Sequence, residues 1–126
     1  MIVTRIFADK NGKARIERRE VPMQPDRSGR ATSIDFPALR IFFRDTPPSH
    51  LHDKHRAPQR QFIVVVSGVG EIELDDGSRH RFVPGTLLFV EDTTGDGHIT
   101  RTLEGTRGFA HVPVAPEFDI TRWPLA

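Results

Sequence analysis

The sequence predicts an all-β fold, a small barrel or sandwich, on three observations. Short runs rich in β-branched and aromatic residues recur at regular spacing between turn residues, and no segment repeats its apolar residues with the helical period. The run Thr86-Leu87-Leu88-Phe89-Val90 is apolar throughout, so a strand there needs cover on both faces. With 126 residues, the chain reads as one domain over 1–126, long enough to bury most of the surface that its unfolded form exposes.

Taken in order, residues 2–8 and 14–20 flank Asp9-Lys10-Asn11-Gly12, and Asn-Gly between two β-rich runs is the strongest short hairpin signal. An N-terminal β-hairpin is therefore expected. Residues 21–32 carry two prolines, a glycine and many polar groups, which reads as a surface loop free to lid a neighbouring pocket. Residues 38–44 read as a strand, followed from Asp45 to His55 by a loop dense in prolines and histidines, and a further strand covers 61–67. Ser67-Gly68-Val69-Gly70 reads as a turn. A second hairpin follows, because Glu71-Ile72-Glu73-Leu74 alternates charged and apolar groups before Asp75-Asp76-Gly77-Ser78, and the chain resumes at Arg79-His80-Arg81-Phe82-Val83. Strands over 86–90, 98–103 and 108–114 complete a set of roughly eight to ten. Trp123, in a tail punctuated by Pro113, Pro116 and Pro124, is expected to dock on the barrel or on a partner subunit.

Composition narrows the function. The 18 basic and 17 acidic residues leave a formal charge of +1 and no long block of one sign, which argues against nucleic acid as a partner. With no cysteine, disulfides and thiolate metal sites are excluded, and any metal needs nitrogen and oxygen ligands, a set that suits zinc, iron, manganese, nickel or copper. The first residues show no signal-peptide pattern and no run approaches a membrane-spanning length, so the expectation is a soluble cytoplasmic protein without a membrane partner.

From about residue 38 to 114, the order of features resembles a cupin. A histidine loop leads to a strand opened by Gln61, a glycine turn, Glu71-Ile72-Glu73-Leu74, an Asp-Gly turn, Phe82-Val83-Pro84-Gly85, an apolar strand and then His98. The resemblance implies a jelly-roll (double-stranded β-helix) barrel. Cupins place His-x-His, a Glu and a Gly in a first motif and a further His in a second. On this chain His55 takes the first histidine position, Ala57 the second, Gln61 that of the glutamate, Gly68 that of the glycine and His98 that of the second-motif histidine. The pattern is similar to a small-cupin subgroup with His-x-Ala-Pro-x-x-Gln and Glu-Asp-Thr-Thr-Gly-x-Gly-His. The resemblance thus implies a weak divalent-metal site at His55, Gln61 and His98, with no organic cofactor.

Period-two alternation puts Ile63 and Val65 inward with Gln61, and Thr100 and Thr102 inward with His98, giving an apolar pocket with few polar groups. His52, Arg60 and Thr100 are the candidate substrate contacts, and His50 or His52 is the candidate replacement for the lost histidine ligand. Glu91 and Asp92, at the end of an apolar strand near His98, are the candidate catalytic acid and base of a metal-free site. His111, within an apolar strand, reads as a hydrogen-bonded core histidine. Three functions follow as expectations. The first is a metal-assisted enzyme of dioxygenase, isomerase, cyclase or lyase type acting on a small oxygenated metabolite; the second is a non-catalytic module holding a small-molecule ligand. The third is a structural role with the pocket packed shut by Phe42, Phe62 and Phe89. A homodimer is expected, since a small barrel tends to leave an apolar sheet face or edge for a second copy to cover.

Overall fold

The computed structural model describes residues 1–48 and 50–126, and all their side chains except those of Leu51 and His52. Among the described residues there are ten strands and one short 3-10 helix. The N-terminal hairpin pairs β1 (Ile2–Ala8) with β2 (Ala14–Glu20) in register from Ile2↔Glu20 to Ala8↔Ala14. Its turn is closed as expected: the Asp9 carboxylate accepts from the Asn11 and Lys13 amides, and Gly12 holds φ at 78°.

The 21–32 segment differs from a plain loop. β3 (Gln24–Pro25) and β4 (Ala31–Thr32) form a small ribbon because Asp26 accepts from the amides of Ser28 and Arg30, folding the polar stretch onto itself. None of its residues lines the main cavity. The next strand lies further along than expected, with β5 at Phe42–Thr46 and Ala38 held by one isolated bridge to Val114. β6 (Leu51–His55) occupies the end of the histidine segment, because its backbone adds to a sheet edge.

β7 (Gln61–Glu73) and β10 (His98–Pro113) run on through the glycines expected to turn the chain. Each belongs to two sheet halves. The larger half has the order β2-β1-β9-β7-β10-β5, with β9 at Leu87–Val90. The smaller sets β6 beside the first part of β10, and β8 (Arg79–Phe82) beside the second part of β7. The crossover between the halves falls where the β7/β10 register shifts, between Thr102 and Phe109. There Gly68 sits at φ 77°, and a Cβ on it would collide with the Thr106 carbonyl, so the bend needs glycine.

One apolar cluster lies between the halves, built on Ile6, Val65, Ile72, Phe82, Leu88 and Val90. A second covers the outer face of the larger half with Val3, Phe89, Val114, Phe118, Ile120 and Trp123. β9 feeds both, Leu88 and Val90 to one side and Phe89 to the other, as its unbroken apolar run requires. Trp123 docks on the barrel itself, against Phe36, Phe62 and Phe118. Among the described residues no helix is long and apolar enough to cross a membrane.

Candidate functional site

Between the two halves lies a cavity of about 650 Å³. Its floor is apolar, with Ile63, Ile72, Phe82 and Leu88, and its walls are polar, with charged Arg44, Asp45, Arg56 and Arg107 among them. His55 and His98 both line it, and so do Gln61 and Thr100. Phe62 and Phe89 belong to the outer cluster, and Phe42 stacks on His111, so none of the three closes the space.

The two motif histidines are brought together by backbone pairing. His55 on β6 stands opposite His98 on β10, with ring centroids 4.7 Å apart. Gly97 allows that approach: it holds φ at 79°, and a Cβ there would overlap the His55 carbonyl. Each ring is fixed through Nδ1. His98 donates to the Asp92 carboxylate at 2.5 Å, and His55 donates to the Asp53 carbonyl at 2.7 Å. Because those acceptors have no proton to give, each neutral ring carries its lone pair on Nε2.

Asp92 is 0% exposed and His98 6%, so their contact is shielded from water. The other carboxylate oxygen of Asp92, Oδ1, has no hydrogen-bond partner among the described residues. Glu91, one residue earlier, faces the other way. Its carboxylate pairs with Arg5 and with Arg60 Nε, the latter at 3.1 Å, on the outer side of the sheet. Alternation along the strand end explains the split, since consecutive side chains point to opposite faces. Arg60 is committed to Glu91 and to the Phe118 carbonyl and does not line the cavity. His50 is exposed at the rim, and the side chain of His52, expected as a substrate contact, lies outside the described residues.

Two cavity groups escaped the sequence reading. His111 is buried and hydrogen-bonded as expected, but it also lines the cavity. Its Nδ1–H donates to Gln61 Oε1 at 3.2 Å, its ring stacks on Phe42 at 4.6 Å, and its Nε2 has no partner among the described residues. Burial, helped by the nearby Arg44 charge, pushes its pKa down to about 4 and keeps the ring neutral. Arg107 is 3% exposed on the same strand, with Nε donating to Thr102 Oγ1 at 2.6 Å. Inward alternation of residues 107, 109 and 111 was the available signal, hidden by the register shifts before Phe109.

As a metal site the donor set is thin. Two imidazoles, His55 and His98, line the cavity, but Ala57 offers no ligand atom and the Gln61 oxygen already accepts from His111. Among the described residues no three histidine, aspartate or glutamate side chains gather to hold an ion. Catalytic zinc sites typically use three protein ligands, so the set does not fit a tightly held resident metal.

No protein-family model matches this chain, and no curated protein matches it in sequence. In structure it is similar to an RmlC-like cupin family protein with a double-stranded β-helix fold from Methanocaldococcus jannaschii. The TM-score is 0.50 at 14% identity, over 75% of this chain and 90% of that one. This chain has the cupin fold. Shared architecture at that identity speaks for the barrel and leaves the activity to be argued from the site. Within the cupin barrel, the positions that resemble the family's metal motif do face the cavity at His55, Gln61 and His98, while Ala57 is buried in its wall.

Proposed function

We propose that this cupin binds a small oxygenated molecule in its cavity and moves a proton on it, in an isomerase- or lyase-type reaction carried by His98. The observation that carries the reading is the buried Asp92–His98 contact beside His55. A proton leaving the ligand passes to His98 Nε2, and the Asp92 carboxylate on Nδ1 offsets the charge of the imidazolium that forms. Asp92 is thereby a positioning residue, whereas Glu91 takes no part. His55 Nε2, on the adjacent strand, serves as the second proton-handling group. Gln61 and Thr100 orient the ligand through their hydrogen-bonding groups.

A metal-assisted version has one observation in its favour, the His55 and His98 imidazoles lining one cavity with ring centroids 4.7 Å apart. A divalent metal of the zinc, iron, manganese or nickel kind would be held there weakly, because the Gln61 amide brings no charge. A homodimer formed through the outer sheet face belongs to the same proposal.

A panel of enolisable carbonyl compounds in deuterated water, followed by proton NMR, tests the assignment. The expected result is deuterium uptake by one compound class with wild-type protein. Loss by a factor of at least about a hundred is expected in His98→Gln, as for removal of a general base, with no change on adding chelator. Chelator-sensitive exchange, together with near-stoichiometric metal that disappears from a His55→Ala/His98→Ala double variant, would establish the metal version instead. A compound that binds saturably and is recovered unchanged would make the protein a non-catalytic binding module.

A further inference from the structure

Arg107 is a buried cation without a buried anion. It is 3% exposed, yet no carboxylate forms an ion pair with it among the described residues, and its one hydrogen bond there runs from Nε to the neutral Thr102 hydroxyl. Asp45 lines the same cavity without pairing with it. A guanidinium stays protonated in a protein, and one hydroxyl does not offset the cost of removing such a charge from water. The only fully buried polar side-chain atoms lacking a partner among the described residues are Asp92 Oδ1 and His111 Nε2. Both terminal amino nitrogens of Arg107 therefore keep contact with the cavity, and they lack an acceptor among the described residues. The fork is aimed by Thr102 and by the Phe109 ring beneath it, 5.8 Å from the guanidinium carbon.

We propose that Arg107 is the anchor for a carboxylate, and that the ligand of this cavity is a monocarboxylate with an apolar body. The planar fork matches a carboxylate in a two-point contact. Arg107 is the buried cation of the described lining, so one guanidinium balances one negative charge there; Arg44, Arg56 and Asp45 line the cavity at exposed positions, where water screens them. The rest of the ligand meets Ile63, Ile72, Phe82, Leu88 and Phe109, which asks for hydrocarbon or an aromatic ring. This assignment rests on the cavity being the working site, and it names the substrate class for the His98 chemistry.

The test titrates nitrogen-15-labelled protein with 3-phenylpropionate, with 3-phenylpropionamide as the neutral match and with inorganic phosphate, reading the Arg107 Nε–H resonance. The acid is expected to shift that resonance saturably and to bind about tenfold or more tighter than the amide, the order expected of a charge-assisted hydrogen bond. Arg107→Met should erase the preference while leaving the ligand-free melting temperature level or higher, because an uncompensated buried charge has been removed. A merely structural arginine would instead lower it. If Arg107→Met does not fold, Thr102→Val, which releases the fork, must weaken the acid several-fold; unchanged affinity there overturns the assignment. Equal binding of acid and amide overturns it too and leaves the cavity reading standing, and tighter phosphate binding replaces carboxylate as the class. Binding of none of the three, with no deuterium exchange in the carbonyl panel, removes both.

Discussion

His111 shows how one buried side chain ties stability to pH. Held neutral with a pKa near 4 by burial and by Arg44, it has a folded-state pKa below the ordinary value of 6.5. Above about pH 6.5 folded and unfolded chains both carry it neutral, and its contribution is complete. Between 6.5 and 4 the unfolded chain takes up a proton that the folded chain refuses, so stability falls with pH, by on the order of 2–3 kcal/mol in all. Urea unfolding at pH 7 and pH 5 should show that slope, and His111→Gln, which keeps a hydrogen-bonding side chain, should flatten it. A slope identical in the variant would mean that another group titrates. Asp92 represents the other use of burial: its one side-chain hydrogen bond among the described residues holds the His98 ring through Nδ1.

At the scale of elements, the site depends on where two strand ends meet. β6 and the start of β10 bring His55 opposite His98 only because Gly97 lets the backbones touch. Gly97→Ala places a Cβ into the His55 carbonyl at a positive φ, which should cost about 2–3 kcal/mol and separate the rings. Denaturant midpoints and loss of deuterium exchange together check this; a variant with wild-type stability and rate would show that the contact is dispensable. The N-terminal hairpin, β9 and the Asp-Gly hairpin were legible in the sequence because their signals are local: Asn11-Gly12, an apolar run, and alternating charge before Gly77. β7 and β10 were not legible as continuous strands, since glycine signals a turn and a bulge alike, and only pairing with a distant strand decides between them. For the same reason His55, Gln61, Thr100 and His98 were traceable to the cavity through motif and alternation. Arg107, within the stretch of register shifts, and the outward turn of Glu91 and Arg60 required the sheet itself.

Over the whole molecule, the two faces of the larger sheet half are finished differently. The inner face closes on the cavity, and one end of the outer face is covered by Phe118, Ile120 and Trp123 from the C-terminal tail. At the other end the register sets Phe43, Ala110 and Val64 side by side across β5, β10 and β7, and Phe43 is 74% exposed. Val66 on β7 and Leu39 and Ile41 leading into β5 are also exposed, and β5 is an edge strand. A clustered apolar surface on a sheet margin with an unpaired edge favours association, and a second copy presents a matching face through a two-fold axis. Sedimentation of the wild type at micromolar concentration should therefore give a dimer, and Phe43→Glu, which sets a charge at the centre of the patch, should yield a monomer. Because Phe43 points away from the cavity, that monomer should still bind 3-phenylpropionate with wild-type affinity. Loss of binding on dissociation would mean that the partner copy completes the site, and a wild-type protein that sediments as a monomer up to millimolar concentration would assign the patch no role in assembly.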